Sequence, residues 1–439
     1  MKIYIETYGC SANINNSEIL KGILSQSGNI IVNNEELADI LIINTCIVKS
    51  KTENKIKRRI QDIARIYPDK LVIIAGCMPE TDAKHIKQLN PKAILLGTHH
   101  FKDINNLLND YKNNKISNKQ KEYLDYQKEE KILLPKKPEN KLISIIQISE
   151  GCLGNCTYCK TKLAKGALFS YPENKILKQI ESDLNQGAKE IWLTSQDCAS
   201  YGLDKNKEKS QLPDLLRKIL SLKHKFKLRI GMMNPNNVYP ILEELIEIYK
   251  SPKLYKFLHI PIQSASNRIL SKMNRFYKIE TAENIIKKFK QNFPNITIAT
   301  DIILGYPEES SSDFKDNLNF IKRFNPDVLN LSKFSLHKGT EIYNQIMNRK
   351  AKQIPIKTIN KRTSELMELH RKSALNKKQK FKDKIIRVFI NTNKQGFYEA
   401  RDDYYRIVLL NTTNHHLGKN IDVQIKQIGV HHMIGEIMV

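Results

Sequence analysis

Residues 149–166 read SEGCLGNCTYCKTKLAKG and place three cysteines within eight positions. Cys152, Cys156 and Cys159 have the spacing CxxxCxxC, and Gly151 and Gly154 allow the turns that bring three sulfurs toward one point. Such a set of thiolates suits a soft metal centre. A four-iron cluster held by three cysteines keeps one iron atom open to a substrate or cofactor, whereas electron-transfer ferredoxins close all four.

Zinc and disulfides are the alternatives for this loop. Structural zinc takes four ligands, and the closest upstream histidines are the distant His99 and His100. Disulfides are disfavoured by the odd count of seven cysteines, the size of the chain and the absence of a signal peptide. We therefore expect an iron–sulfur protein in a reducing cytoplasm.

Length and charge set the broad class of the protein. The 439 residues are enough for about three domains, and no apolar run approaches the roughly 20 residues of a membrane span. Lys and Arg outnumber Asp and Glu by 72 to 46, and the formal net charge of +26 favours a polyanionic partner such as nucleic acid. Residues 349–384 hold thirteen of these cations against three acids and predict a phosphate-facing surface. A coding bias toward Lys, Asn and Ile is the alternative explanation for part of the excess.

Residues 1–110 alternate apolar strands with helical segments, which is typical of a parallel, Rossmann-like α/β domain. Cys10, Cys46 and Cys77 follow the first three of the predicted strands, and the carboxyl ends of parallel strands lie along one edge of a sheet. We therefore predict a second iron–sulfur site with three cysteines. The alternative is three buried cysteines that happen to end strands. The predicted strands are KIYIETYGC, DILIINTC, KLVIIAGC and AILLGT.

Residues 111–141 are rich in Lys, Asn, Glu and Gln and predict a solvated linker. Residues 142–375 then contain six strand candidates that alternate with helices, too few for a closed eight-stranded barrel. We predict an open (βα)6 barrel with the cysteine loop at its mouth, directly after the first strand. The six strands are LISIIQIS, EIWLTS, KLRIGM, YKFLHIPI, ITIATDIIL and VLNLSKFSL.

Residues 376–439 alternate apolar and polar side chains with period two, which predicts a small antiparallel β-barrel. Arginines interleaved with tyrosines in this segment suit phosphate contact and base stacking, with a solvated strand face as the alternative. The doublets His415/His416 and His431/His432 are more typical of surface histidines than of a metal site. The candidate RNA-contacting residues are Arg387, Arg401, Arg406, Tyr404 and Tyr405.

Together these motifs resemble known enzymes. The CxxxCxxC loop after the first strand of a six-unit barrel, with Tyr158 before its third cysteine, resembles radical S-adenosylmethionine enzymes. The N-terminal segments TYGCSANINNSE, INTCIVK and AGCMPE add a resemblance to the methylthiotransferase family. Within that family, CTYCKTKLAKG, EIWLTSQD, FLHIPIQSAS and ATDIILGYPEE resemble the archaeal and eukaryotic branch that acts on threonylcarbamoyladenosine in tRNA. The last segment resembles the RNA-binding TRAM domain.

The resemblance implies two [4Fe-4S] clusters and S-adenosylmethionine as cofactors. In the family, the cluster on the CxxxCxxC cysteines binds S-adenosylmethionine and cleaves it reductively to a deoxyadenosyl radical. The cluster on the N-terminal cysteines handles the sulfur, which a second S-adenosylmethionine methylates. Carbon 2 of adenine bears a hydrogen without useful acidity, so its replacement by sulfur calls for radicals from a cofactor. The product is the 2-methylthio derivative of the base 3′ of the anticodon.

The resemblance also implies further site residues. Ser195 and Asp197 lie in TSQD, where related enzymes contact the methionine ammonium group, and Asp197 is our candidate for that contact. A helix N-cap is the alternative reason for an aspartate there. Gln263 and Ser264 are expected to bind the nucleoside, and Tyr158 to pack near its adenine.

The basic segment KTKLAKG follows the third cysteine of the loop and contains Lys160, Lys162 and Lys165. Threonylcarbamoyladenosine differs from adenosine by a carboxylate, which needs a cation or several donors when it is buried. We hypothesise that Lys162 or Lys165 binds this carboxylate. The alternative is a loop that contacts only tRNA phosphates.

Three classes of function remain open on the sequence. The first is a tRNA methylthiotransferase, the second applies the same chemistry to a ribosomal protein side chain, and the third is a non-catalytic iron–sulfur protein that binds RNA or senses redox state. The third class predicts that each cluster is bound by four cysteines, and the six cysteines of the two sets are too few for two such clusters. The segment CTYCKTKLAKG disfavours the second class. We expect a monomer that acts on tRNA, without a membrane, and the sequence does not name its sulfur or electron donor.

Overall fold

The computed structural model describes residues 1–48, 50–113, 122–206, 208–394, 396–411 and 416–438. It contains a parallel α/β domain, an open βα barrel and a closed small β-barrel, which confirms the predicted fold class. No helix in this described part is long and apolar enough to cross a membrane.

The N-terminal unit is a six-stranded parallel sheet in the order β2-β1-β3-β4-β5-β6. Its strands are β1 Lys2–Thr7, β2 Ile30–Val32, β3 Ile40–Thr45, β4 Leu71–Gly76, β5 Ile94–Gly97 and β6 Glu122–Tyr123. Its helices are α1 Ser11–Gln26, α2 Ser50–Ile66, α3 Cys77–Leu89 and α4 Ile104–Lys112. Every residue of β3 and β4 is buried, as expected for central strands of a parallel sheet that helices cover on both faces. One hydrophobic core lies under α1 and α4 and the other under α2 and α3.

The segment 111–141 differs from the solvated linker that its composition predicts. It contributes β6 to the sheet, and both Glu129 and Lys131 are buried. The Glu129 carboxylate accepts two backbone N–H groups at 3.2 and 2.7 Å, and Lys131 forms an ion pair with Glu150 at 2.6 Å. The polar composition suggested an exposed linker, but the charged groups of Glu129 and Lys131 are buried because they bind partners distant in the sequence. Residues 114–121 lie outside the described part of the chain.

The second unit contains the six predicted parallel strands in two sheets, β11-β10-β7 and β12-β13-β14. A parallel bridge between Leu228 and Leu254 joins the sheets, and among the described residues β7 and β14 do not pair, so the barrel is open there. The six strands are β7 Ile143–Gln147, β10 Glu190–Thr194, β11 Lys227–Arg229, β12 Phe257–His259, β13 Thr297–Leu304 and β14 Val328–Lys333, and β8 Ser149–Glu150 pairs with β9 Phe169–Ser170 beside the cysteine loop. The helices are α5 Lys160–Lys165, α6 Glu173–Asn185, α7 Leu212–Ser221, α8 Pro235–Val238, α9 Leu242–Tyr249, α10 Asn267–Lys272, α11 Ile279–Asn292, α12 Ser311–Phe324, α13 Glu341–Met347 and α14 Ile356–Lys378.

The C-terminal unit is a closed five-stranded barrel in the order β15-β16-β17-β19-β18. Its strands are β15 Ile385–Lys394, β16 Phe397–Arg401, β17 Ile407–Leu410, β18 Asn420–Ile428 and β19 Met433–Ile437. Four of its strand pairs are antiparallel, but β17 and β19 pair in parallel, which corrects the prediction of a wholly antiparallel barrel. A turn separates β16 from β17, and in it Asp402 Oδ1 accepts the N–H groups of Tyr404 and Arg406.

This terminal barrel closes the amino-terminal end of the βα barrel. Asn391 Nδ2 donates to Glu190 Oε1 at 2.9 Å, and Lys227 pairs with Asp403 at 2.5 Å. Glu190 and Lys227 are the first residues of β10 and β11. The terminal barrel therefore lies at the opposite end from the cysteine loop, which follows the carboxyl end of β7.

Candidate active site

The CxxxCxxC loop runs from β8 to α5 and is shaped by its two glycines. Gly151 has φ +69°, and a Cβ there would lie 1.9 Å from the Ala167 carbonyl oxygen, so only glycine fits. The Gly154 N–H donates to Cys152 Sγ at 3.3 Å, and a Cβ at this position would lie 3.5 and 3.8 Å from the sulfurs of Cys152 and Cys156. The two thiols thus lie on either side of one glycine. The absence of a side chain at Gly154 keeps this position between the two sulfurs clear, which fits the three-cysteine side of a cluster.

Arg275 belongs to this site and was missed by the sequence analysis. Its Nη1 donates to Cys156 Sγ at 3.4 Å, and its Nη2 donates to the Pro261 carbonyl at 3.2 Å. Hydrogen bonds to the sulfurs are one of the means by which proteins tune iron–sulfur clusters. Arg275 and Cys156 are 119 positions apart, and no motif around Arg275 signals this contact.

Asp197 and Ser195 lie at the carboxyl end of β10, near Cys152. Asp197 Oδ1 accepts the N–H groups of Ala199 and Asn234, both at 3.0 Å, and its Oδ2 accepts Asn237 Nδ2 at 2.7 Å. Asp197 therefore caps the short helical turn Cys198–Ser200, the alternative that the sequence left open. Ser195 Oγ accepts the Asp197 N–H at 3.1 Å. Contact of Asp197 with a methionine ammonium group stays a prediction.

The other expected cofactor-binding residues lie around the same mouth. The ring of Tyr158 packs edge-on against Tyr306, with 6.3 Å between centroids. Gln263 has φ +64°, an uncommon backbone conformation that clusters at functional sites. Ser264 is buried, and its Oγ accepts the Ser266 N–H at 3.2 Å.

The second cysteine set lies at the carboxyl ends of the neighbouring strands β1, β3 and β4. Cys46 and Cys77 directly follow their strands and are buried, while Cys10 precedes α1 and is exposed. A Cβ on Gly9 would lie 2.9 Å from Cys46 Sγ, so the backbone beside Cys10 packs directly against Cys46. Burial raises the pKa of the Cys77 thiol to about 12, an effect that the Lys165 ammonium opposes.

No three His, Cys, Asp or Glu side chains within the described ranges are positioned to hold a single metal ion. That finding concerns one ion, whereas a four-iron cluster binds each thiolate at a different iron atom. Cys198, the seventh cysteine, is buried beside Ser195. Of the two histidine doublets, His415 lies outside the described residues.

Helix α5 connects the two cysteine sets. Cys159 is its N-cap residue, and Lys165 in its last turn donates to Thr98 Oγ1 at 2.6 Å and to Glu150 Oε1 at 3.3 Å. At its start, Lys160 pairs with Asp82 at 3.0 Å. Six helical residues span about 9 Å, so this one short helix separates the CxxxCxxC loop from the N-terminal cysteines.

The lysines of this segment already have partners. Lys165 is 2% exposed and bound as described, and Lys162 donates to the Cys152 carbonyl oxygen. The ammonium group of Lys165 is thus engaged by a carboxylate inside the protein, which argues against Lys165 as the residue that recognises the threonyl group. Recognition by Lys162 stays a prediction.

The C-terminal arginines also differ in their surroundings. Arg401 pairs with Glu399 at 2.6 Å and lies 4.2 Å above the Tyr405 ring, and Arg406 pairs with Asp402 at 2.7 Å. Arg387 has a side chain that is 68% exposed. Arg401 and Arg406 therefore serve internal contacts, and of the three only Arg387 is well exposed to an RNA.

Comparisons with known proteins agree with this architecture. Residues 2–97 match the family described as uncharacterized protein family UPF0004, and residues 146–321 match the radical SAM superfamily. Among solved structures, the radical S-adenosylmethionine methyltransferase TsrM from Kitasatospora setae aligns with a TM-score of 0.60 at 13% identity, covering 79% of this chain and 76% of TsrM. This likeness shows the fold alone.

Relatives with similar sequences extend over the whole chain. A Pyrococcus horikoshii protein named "Probable threonylcarbamoyladenosine tRNA methylthiotransferase" is 35% identical over 441 residues, covering 100% of both chains. The Homo sapiens protein named "Threonylcarbamoyladenosine tRNA methylthiotransferase" is 32% identical over 446 residues, covering 99% of this chain and 74% of the human one. Full-length similarity at this level, together with both domain matches, confirms the resemblance seen in the motifs: the chain belongs to the threonylcarbamoyladenosine tRNA methylthiotransferase family.

Proposed function

We propose that this protein replaces the C2 hydrogen of threonylcarbamoyladenosine, next to the anticodon of tRNA, by a methylthio group. The observation that carries the proposal is the pair of three-cysteine sets on either side of α5. Replacement of an unreactive hydrogen needs a radical, and delivery of sulfur needs a second reactive centre close by. The two cysteine sets can provide these two centres, and the single short helix α5 between them keeps the centres close together.

In this proposal Cys152, Cys156 and Cys159 would hold a four-iron cluster, with S-adenosylmethionine bound at the same mouth of the barrel. When bound, the cluster supplies the electron that cleaves S-adenosylmethionine and so provides the radical. Arg275 holds the Cys156 sulfur in place, and its positive charge offsets negative charge at the thiolates. Asp197 keeps a carboxylate at the mouth, where it suits a cationic amino group, although three protein donors already bind it.

Cys10, Cys46 and Cys77 hold a second four-iron cluster in this proposal. Two of these thiols are buried and have raised pKa values, so an electropositive neighbour is needed to favour the thiolate form that binds iron. Lys165 supplies that positive charge from the end of α5. Its ammonium group is held by Thr98 and Glu150, so its position is fixed before any cluster binds.

The tRNA partner is supported by the charge distribution on α14. This helix carries most of the basic run 349–384, and one stripe of it packs against the barrel. Two basic residues of the run, Arg362 and Lys378, are buried in that stripe. The other face of the helix remains exposed and basic and suits the phosphates of an RNA, together with Arg387 of the terminal barrel.

The proposal is tested first by the iron content of anaerobically reconstituted protein. Wild type should hold about eight iron atoms per chain, and replacement of either three-cysteine set by Ala should leave about four. Cys198→Ala is the matched control, because it removes the one cysteine outside both sets, and it should keep about eight. Loss of all iron in either triple variant would show that the two sets do not form separate sites.

The second test is the reaction itself. Reconstituted protein with S-adenosylmethionine, a reductant and a sulfur source should convert tRNA that contains threonylcarbamoyladenosine to its 2-methylthio product, detected by mass spectrometry of nucleosides. A modified ribosomal protein with unchanged tRNA would instead assign the chain to the related protein-modifying chemistry.

A further inference from the structure

The closed end of the βα barrel contains an unusual group of side chains. Trp192 of β10, Arg229 of β11 and Phe257 of β12 lie on the inner face, because the strand residues beside them belong to the outer hydrophobic core. Tyr405 reaches the same place from the terminal barrel. We call these four residues the barrel floor.

Arg229 is the centre of the barrel floor. Its guanidinium carbon lies 5.8, 5.4 and 5.5 Å from the ring centroids of Trp192, Phe257 and Tyr405. Aromatic faces attract a cation, but they leave its N–H donors without acceptors. Arg229 Nε is buried and has no hydrogen-bond partner, and in the described part of the chain no carboxylate lies within 4.0 Å of this guanidinium.

The acids closest to the barrel floor are engaged elsewhere. Glu399 pairs with Arg401 at 2.6 Å, and Glu190 accepts hydrogen bonds from Trp192 Nε1 and from Asn391, both at 2.9 Å. Nearer the mouth, Asp301 pairs with His259. Among the described residues, Arg229 therefore keeps a positive charge that no carboxylate pairs with directly, and its side chain, like those of Trp192 and Tyr405, is only partly buried.

We infer that Arg229 binds the threonyl carboxylate of the substrate nucleoside on the barrel floor. The inference rests on the proposed function and identifies the residue that distinguishes the modified from the unmodified base. A guanidinium matches a carboxylate with two parallel N–H donors, and the match is strong where water is scarce. Trp192 and Phe257 flank the bound group with apolar surface.

The depth of the barrel suits this assignment. Trp192 lies two residues before the end of β10, which places the barrel floor about 7 Å below the mouth. The threonylcarbamoyl group is attached to N6 and ends in its carboxylate, so it can extend down the barrel. Carbon 2 is separated from carbon 6 by ring nitrogen N1, and in this orientation it stays near the mouth, where the cysteine loop lies.

The test is a comparison of two nucleosides on the holoenzyme. Equilibrium dialysis measures the affinity for N6-threonylcarbamoyladenosine and for its neutral carboxamide analogue. The fluorescence of Trp192, the single tryptophan of the chain, reports whether the barrel floor is occupied. Wild type should bind the acid about ten- to hundredfold more tightly than the amide, with a change in Trp192 fluorescence.

Three variants test whether Arg229 causes the difference in affinity between the acid and the amide. Arg229→Gln should bring the affinity ratio to about one, and Arg229→Lys, which keeps the charge but loses the paired donors, should retain part of it. Arg217→Gln is the matched control, because it removes an exposed surface arginine on α7 and should leave the ratio unchanged.

The outcomes separate this inference from the proposed function. If wild type binds acid and amide equally, or if Arg229→Gln keeps the wild-type ratio, the inference is overturned even when wild type still forms the methylthio product on tRNA. If Arg229→Gln does not fold, the acid-to-amide affinity ratios of wild type and of Arg229→Lys test the inference. An Arg229→Lys ratio equal to that of wild type would then overturn it. Absence of product on tRNA would reject the proposed function itself.

Discussion

Lys165 holds a positive charge where water scarcely reaches. Its side chain is 2% exposed, and it shares the Glu150 carboxylate with Lys131, which is also buried. Burial alone would lower the pKa of Lys165, but the Glu150 carboxylate and the thiolate forms of Cys77 and Cys10 outweigh it and raise the pKa. Lys165 therefore remains charged in the folded protein and stabilises the contact between the N-terminal domain and the barrel.

We expect Lys165→Met to lower the free energy of unfolding by about 3 to 5 kcal/mol, because it leaves the buried Glu150 with one cation fewer. Urea unfolding followed by circular dichroism measures the change. Lys162→Met is the matched control on the same helix and should cost less than about 1 kcal/mol. A Lys165→Met protein of wild-type stability that has lost discrimination between threonylcarbamoyl-containing and unmodified tRNA would restore Lys165 as a substrate contact.

Helix α12 illustrates how a single element depends on its first turn. Ser310 and Asp313 form a capping box, and Asp313 also accepts Ser266 Oγ at 2.5 Å and pairs with Arg268. Burial opposes ionisation of Asp313, but Arg268 and the two serines outweigh it and hold its pKa below the usual range. The stabilisation is therefore complete above the usual carboxyl pKa and is lost as the pH falls toward the lower folded value.

We expect Asp313→Asn to lower the thermal unfolding midpoint at pH 7 through a loss of about 1 to 2 kcal/mol. The difference from wild type should shrink below about pH 4, because the unfolded wild-type chain then binds a proton at Asp313 while the folded protein keeps this carboxylate ionised. Scanning calorimetry of cluster-free protein from pH 7 to pH 3 measures it. The exposed Asp316→Asn on the same helix should change the midpoint little, and a difference that is constant across this pH range would contradict the account.

The elements were largely predictable, and their contacts were not. Apolar runs mark the parallel strands, and the position of Cys46 and Cys77 after two such runs was enough to predict that the strands bring them to one edge. Arg275 reaches Cys156 across 119 positions, and Arg229 is surrounded by rings from three separate segments of chain. Such contacts arise from packing of distant segments, for which a single sequence carries no periodic signal.

At the scale of the whole molecule, the terminal barrel is joined to the catalytic barrel through Tyr405. Its ring packs against Trp192, Tyr255 and Phe257, with centroids 5.9, 5.0 and 4.9 Å away. The sequence suggested that Tyr405 stacks on RNA, because alternating Arg and Tyr residues are typical of such surfaces. In the structure the ring packs between the two barrels, so we expect the barrels to unfold in separate transitions when Tyr405 is lost.

We expect Tyr405→Ala to destabilise this contact by about 3 kcal/mol and to divide thermal unfolding into an early transition of the terminal barrel and a later one. Differential scanning calorimetry resolves the two. Tyr405→Phe keeps the ring and should unfold like wild type. A calorimetric profile of Tyr405→Ala that matches wild type would show that the two barrels are joined by other contacts.

The most direct test of the central claim is mass spectrometry of tRNA nucleosides from cells with and without this gene. The account predicts that 2-methylthio-threonylcarbamoyladenosine is present with the gene, and that threonylcarbamoyladenosine accumulates in its place without it. Alanine at Cys152, Cys156 and Cys159 should give the same result as loss of the gene. An unchanged level of the methylthio nucleoside in cells that lack both the gene and any related enzyme would contradict the account.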